Sequence, residues 1–237
     1  MIVSCWSGPR NISTALMRSW SSRKDTFVTD EPFYAYYLKE TKLKHPLYKE
    51  IINKYSSNYD EIVNYLINSI PKDKKIWYQK HMAHHIFNFN NIEWVNNCEN
   101  CILLRHPKEV ISSYSKKNQL NSVEELGYPQ QYEIVKYLKK INKSYLILDS
   151  SDLLKNPEKV LSNWCIKINI KFDKSMLKWE KGHYVSDGIW WKSWYDNVIK
   201  TTGFKEYEKK NINIENKYDS IYNESMKYYI HLKEAKL

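Results

Sequence analysis

The sequence predicts an α/β fold: a P-loop-like three-layer domain with a central parallel sheet and flanking helices. Three observations carry this. Short apolar runs of four to six residues alternate with longer segments of helical period. The runs are apolar throughout, as in strands covered on both faces, rather than alternating. A chain of 237 residues, 42% of them hydrophobic, is long enough for a buried core and too apolar for a disordered segment.

Residues 1–6 read as the first strand, ending in the turn Ser7-Gly8-Pro9. Residues 12–23 follow as a helix, with Ile12, Ala15, Leu16 and Ser19 on one face. Ser, Thr and Asn crowd its start, as at a helix N-terminus. Residues 26–29 form a second strand, ended by Asp30-Glu31-Pro32. Residues 47–70 read as helical up to Pro71, and 76–79 as a third strand. Residues 101–104 form a fourth, stopped by Arg105-His106-Pro107. Helices are expected over 109–117 and most of 122–140, a fifth strand over 145–148, and a helix over 157–166. From 178 to 204 the pattern turns to Gly, Trp and Tyr without a period, which reads as a long ordered loop of functional use. A polar segment near 205–217 precedes a last helix over 218–233. With no repeat or low-complexity linker, residues 1–237 are expected to form one domain.

The net charge is +10, which favours anionic partners. Lysines are spread along the chain rather than gathered in a stripe, so no nucleic-acid partner is expected. No apolar run reaches the roughly 18–20 residues of a membrane span, and the N-terminus has no charged leader. The expected location is therefore cytoplasmic, without a membrane partner, as a monomer or homodimer. The four cysteines are expected to be reduced thiols; Cys98 and Cys101 form a CxxC without the second pair that would complete a zinc site. There are only four arginines, Arg10, Arg18, Arg23 and Arg105, against 33 lysines, and only five glycines. In so lysine-biased a chain, each arginine invites a reason, such as a planar fork for an oxyanion.

Ligands of open α/β sheets bind beyond the carboxyl ends of the strands. The first such end is Gly8-Pro9-Arg10-Asn11-Ile12-Ser13-Thr14. Free turn N–H groups, a helix start, two hydroxyls and a guanidinium make an anion cradle suited to phosphate. It is not GxxxxGK[ST], since it has one Gly and Ile12 stands where Lys would be. The plain alternative is helix capping by Ser13 or Thr14. The fourth strand ends in Arg105, with Ser113 on the next helix. A metal–nucleotide site would place an acid at a neighbouring strand end; this chain offers Arg, an anion held by protein cations.

Together these segments resemble the cytosolic-type sulfotransferase family. More narrowly, WSGPRNISTALMRSW, DEPFYAYYL, KHMAHH, LLRHPKEVISSY and WYDNVIKTTGF resemble a small bacterial sulfotransferase-like branch. The resemblance spans residues 1 to about 204. It implies sulfuryl transfer from 3′-phosphoadenosine 5′-phosphosulfate (PAPS), leaving adenosine 3′,5′-bisphosphate (PAP), to a hydroxyl or amine of a small-molecule acceptor, with no metal. Gly8 to Thr14 would grip the 5′-phosphosulfate, with Arg10 where the family usually has Lys. Arg105 and Ser113 would grip the 3′-phosphate, joined by Lys181 and Gly182 in place of the family's Arg-Lys-Gly. The family's adenine-stacking Trp is Ala15 here, its Tyr near the fifth strand is replaced by Asp149-Ser150-Ser151, and the branch's late His is Ser193.

In this reading His81 is the general base and Arg10 the electrophile on the leaving phosphate. His84 and His85 are expected at the acceptor pocket, with HxxHH on a helix as the metal-binding alternative. Glu31 would face the acceptor beside Phe33, the alternative being a helix N-cap at Asp30. Trp191, Trp194 and Tyr195 read as an aromatic lid over the acceptor, or as the core of the long loop. His106 and His183 are further binding candidates. A non-catalytic or kinase-like nucleotide-binding protein of the same fold is the rival function.

Overall fold

The computed structural model describes residues 1–68, 70–87, 89–209 and 211–235. Strands β1 (Ile2–Ser7), β2 (Thr26–Asp30), β3 (Ile76–Met82), β4 (Glu99–Leu104) and β5 (Tyr145–Asp149) form one parallel sheet in the order β2-β3-β1-β4-β5. Each strand was legible as an apolar run because both sheet faces are covered. Side chains alternate between two cores. One face carries Trp6, Trp77, Ile102 and Ile147. The other carries Val3, Cys5, Tyr78, Cys101 and Leu103.

The helices are α1 (Ser13–Ser21), α2 (Tyr34–Thr41), α3 (Tyr48–Lys54), α4 (Tyr59–Leu66), α5 (Pro107–Tyr114), α6 (Tyr128–Lys140), α7 (Ser150–Lys155), α8 (Pro157–Lys167), α9 (Trp191–Trp194) and α10 (Asp219–Glu234). Ile111 of α5, Ile134 of α6 and Leu232 of α10 pack on the first face; Leu16 and Trp20 of α1 and Trp164 of α8 pack on the second. Among the described residues, no helix is long and apolar enough to cross a membrane.

One expectation changes, and two sequence features find their place. The helix expected over 47–70 is two helices, because Tyr55 leaves helical geometry and Asn58 starts a new N-terminus, its side chain accepting from Glu61 N at 3.1 Å. Ser69, inside that expected span, lies outside the described residues. Asp149, Ser150 and Ser151 open α7, where the Asp149 carboxylate accepts from Ser151 N at 2.8 Å. Cys98 and Cys101 lie in opposite cores, so the CxxC is two separate buried thiols, each with its pKa raised by burial.

The long loop is ordered by contacts at its base. Lys178 and Gly203 pair as an antiparallel bridge, and Gly182 N donates to Ile199 O at 2.8 Å. Arg18 of α1 grips Asp187 with both terminal nitrogens, at 2.5 and 2.6 Å, and lies 3.9 Å from the Tyr184 ring centroid. Both partners of this pair are buried. Removing one charge strands the other in a low dielectric. Arg18→Met is therefore expected to lower stability by about 3–5 kcal/mol. Urea denaturation checks this; a change within about 0.5 kcal/mol, usual for a surface site, would show that the pair does not hold the loop.

Candidate active site

The strand order puts the switch point between β1 and β4, where successive connections leave in opposite directions. A cavity of about 840 Å³ opens there. Its floor is the turn after β1. Arg10 (φ 58°) and Ile12 (φ 35°) hold left-handed backbone conformations there without glycine. Such geometry persists only where surrounding contacts enforce it. Asn11 donates from Nδ2 to Leu103 O at 2.6 Å, and Arg105 Nη1 donates to Arg10 O at 2.6 Å. Arg10 Nε donates to Ser113 Oγ at 2.9 Å. No side chain caps the start of α1, so capping does not explain Ser13 and Thr14, which line the cavity.

Pro9, Arg10, Asn11, Ile12, Ser13, Thr14, Arg105 and Ser113 are thus gathered on one wall. Burial and the neighbouring Arg105 charge press the Arg10 pKa down. That is the field of an anion-binding site. Glu109 fixes the Arg105 fork, accepting from Nε at 2.8 Å. Gly8 lies below the cavity surface; a Cβ there would stand 2.1 Å from Leu126 O, so the turn passes a neighbouring backbone only as glycine.

A second set of lining residues is Glu31, Tyr34, His45, Met82, His84, His85, Trp194 and Tyr195, from the segments after β2 and β3 and from the long loop. Glu31 (φ 43°) follows β2 and places Oε1 2.5 Å from Lys80 Nζ. Lys80 is fully buried in β3 and also donates to Asp30 Oδ1 at 2.9 Å and Tyr195 Oη at 2.7 Å. Tyr195 donates to Asp30 at 2.7 Å, and Gly188 N donates to Asp30 Oδ2 at 3.0 Å. Asp30 therefore caps no helix; it anchors the loop. Burial raises the Glu31 pKa against the pull of Lys80.

Several expected residues lie elsewhere. His81 does not line the cavity. It is 1% exposed, stacked on Trp6 at 4.3 Å, with Nε2 3.2 Å from Gln79 Oε1. Its position in a fully buried strand turns it into the core below the site, beside Phe33, which is likewise buried. His84 and His85 sit in a 3-10 turn after β3, so 81 and 85 share no helical face. Among the described residues, no group of three or more His, Cys, Asp or Glu could hold a metal. Trp191 stacks on His183 at 4.6 Å outside the cavity, whereas Trp194 and Tyr195 face it. Lys181 is exposed and Gly182 lies at the loop base; neither lines the cavity. His106 caps α5, its Nδ1 accepting from Lys108 N at 3.3 Å.

The residues the sequence did not single out are Lys80, Tyr34, His45 and the wall formed by Leu154, Phe204, Tyr207 and Ile212. One signal for Lys80 was available. A lysine inside a strand buried on both faces requires a buried acid, and Asp30-Glu31 end the neighbouring strand.

A family model described as a sulfotransferase domain matches residues 1–236. The chain belongs to the sulfotransferase-domain family. Similar solved structures are the sulfotransferase domain of the Synechococcus PCC 7002 olefin synthase (TM-score 0.59, 14% identity, 94% of each chain covered) and that of the curacin biosynthetic pathway (TM-score 0.56, 14% identity, 94% of this chain and 96% of that one). At such identity they show the shared fold. The chain is also 33% identical over 208 residues to branched-chain-amino-acid aminotransferase-like protein 2 of Arabidopsis thaliana, and 34% identical over 209 residues to protein 1. It covers 37% of the length of each of those proteins and 88% of itself aligns. Membership of the family supports sulfotransferase activity.

The buried histidines give the fold a pH signature. Burial depresses the pKa of His81 and of His84 to about 3, and that of His85 well below its usual value. In the unfolded chain each titrates near 6.5, so unfolding takes up protons below that pH, and stability falls as the pH drops from 6.5 towards 3. Glu31, with a raised pKa, acts in the opposite sense but is one group against three. Between pH 6.5 and 5 the fully buried His81 is expected to remove on the order of 2 kcal/mol, His85 adds to this loss, and the partly exposed His84 contributes less, with no such loss above pH 7. Urea denaturation across this range checks the sign; equal stability at pH 5 and 7 would contradict it.

Proposed function

We propose that the protein transfers a sulfuryl group from PAPS to a hydroxyl or amine of a small-molecule acceptor. The observation that carries this reading is the convergence of Arg10, Arg105 and Ser113 in a cavity at the sheet's switch point that the Glu31 carboxylate also lines. Arg10, Ser13, Thr14 and the turn N–H groups suit the 5′-phosphosulfate, and Arg105 with Ser113 suits the 3′-phosphate. With Ala15 in place of a stacking ring, the wall of Leu154, Phe204, Tyr207 and Ile212 is assigned to the adenine. A volume of about 840 Å³ is within the range of small-molecule sites and suits a nucleotide with a small acceptor beside it. Four buried free thiols and the lack of a long apolar helix among the described residues accord with a cytoplasmic place of work.

The donor supplies an activated sulfuryl group; the chain supplies position, charge and a proton acceptor. Arg10 offsets the charge that grows on the leaving phosphate. Arg105 holds the far end of the nucleotide, with Glu109 keeping its fork in plane. For the proton we assign Glu31 in place of His81. His84 and His85 line the cavity, but burial lowers the proton affinity of both, bringing the His84 pKa to about 3. Glu31 lines the same cavity, and its raised pKa makes it the stronger base. Lys80 and Tyr195 hold its carboxylate in place.

Two variants test the assignment. Arg105→Ala is expected to weaken PAP binding by roughly 1.5–3 kcal/mol more than adenosine 5′-monophosphate binding, because both ligands lose the brace on the Arg10 turn and only PAP also loses a phosphate contact. Calorimetry checks this; equal losses would give Arg105 another role. Glu31→Gln is expected to lower turnover by roughly 10²–10⁴-fold at unchanged PAP affinity. Near-normal turnover would remove Glu31 as the base and return the role to His84 or His85. Thermal stabilisation of the wild-type protein by PAP is the first test of the donor itself; none at saturating ligand would overturn the function.

A further inference from the structure

Resting on that reading, we propose that the acceptor is a small alcohol carrying a fixed positive charge. Its ammonium group would lie between the Glu31 carboxylate and the ring of Trp194, with Asp30 buried behind. The argument begins with charge. Asp30 and Glu31 share a single cation, Lys80, and their other hydrogen-bond donors, Tyr195 and Gly188 N, are neutral. His45, His84 and His85, which line the cavity with Glu31, are held neutral by burial. With both carboxylates ionised, this set of residues holds one uncompensated negative charge. The arginines do not offset it when the donor is bound, because the phosphosulfate and 3′-phosphate together carry more negative charge than Arg10 and Arg105 carry positive. An anionic acceptor is repelled from such a site and a cation is drawn into it.

The lining points the same way. Trp194 presents aromatic surface to the cavity, edged by the nearly buried Tyr34 and Tyr195, and the polar atoms of all three are engaged with protein partners. Trp194 Nε1 donates to Tyr34 Oη at 3.3 Å, and the Tyr34 hydroxyl shares a hydrogen bond with His45 Nδ1, 2.9 Å away. Tyr195 donates to Asp30. A polyhydroxylated neutral acceptor needs free donors and acceptors; a ring with its polar atom engaged still offers its face to a cation. The Tyr195 ring already does so for Lys80, whose Nζ lies 4.9 Å from the ring centroid.

The step balances. The acceptor oxygen forms a bond to sulfur as the bond from sulfur to the bridging oxygen breaks, and that electron pair leaves on the 5′-phosphate. The hydroxyl proton passes to Glu31. The product pairs its cation with a new sulfate of opposite charge and is neutral overall, so it has lost the net charge that drew the acceptor in.

The test compares choline with 3,3-dimethylbutan-1-ol, in which carbon replaces the quaternary nitrogen at nearly constant shape. Both are titrated calorimetrically into the protein, with and without saturating PAP. Choline is expected to bind roughly tenfold or more tightly than its isostere. Glu31→Gln and, separately, Trp194→Leu are expected to narrow that gap by weakening choline alone, and Trp194→Phe to restore part of it. Trp194 lies on the loop rather than in the ionic network, so its variants serve if Glu31→Gln does not fold. Equal binding of the two alcohols, or no binding of choline at millimolar concentration while PAP still binds, would overturn the acceptor class and leave the donor reading standing. Failure of PAP to bind would instead overturn the donor reading, and the titrations without nucleotide would still decide whether the pocket selects a cation.

Discussion

The site depends on one hydrogen bond between two strand ends. Arg105, at the end of β4, donates to the backbone oxygen of Arg10 at 2.6 Å, and Arg10 reaches back to Ser113 on α5. The turn it holds contains two non-glycine residues with positive φ. Each such residue costs on the order of 1–3 kcal/mol, so the turn needs bracing. Asn11 supplies more by bonding to Leu103 O, and Gln131 Nε2 bridges Trp6 O and Leu103 O at 3.0 and 2.9 Å. The ends of β1 and β4 are thereby one braced unit. The two guanidiniums are placed before any ligand arrives, so little ordering remains to be done on binding.

Three of the four arginines use the planar fork: Arg105 spans Glu109 and Arg10 O, Arg18 grips Asp187, and Arg23 grips Asp25 at 2.9 and 3.0 Å, whereas Arg10 bonds Ser113 through Nε. A lysine offers a point charge and could not span both carboxylate oxygens in this way. Lys80, buried in β3, plays a different part, since its ammonium reaches a single point shared by three oxygens. That point ties the aromatic loop to β2 and β3. The loop is therefore part of the wall of the acceptor end, and its Tyr195 joins the same ionic network as Glu31.

The strands and the anion cradle were legible because they follow local rules: apolar runs between turns, and donors at a helix start. The base was not. His81 lies near the end of β3, where its parity along the strand decides whether it faces the cavity or the core, and parity shows only once the register with β1 is known, Trp6 opposite His81. Trp191 failed similarly, because nothing local separates it from Trp194, three residues on and turned to the cavity. Glu31 was legible as an acid at the sheet edge, though not as a group whose proton affinity rises on burial beside Asp30. That property belongs to residues far apart in the chain.

The account's central claim is that the turn after β1 and the start of α5 form one site for a nucleotide bearing both a 3′- and a 5′-phosphate. Amide hydrogen exchange with and without PAP tests it most directly. The account predicts slowed exchange in two segments together, residues 8–16 and 103–115, and weaker protection with adenosine 5′-monophosphate in the second. Binding of PAP that leaves both segments unprotected, or that protects only a surface elsewhere, would contradict it.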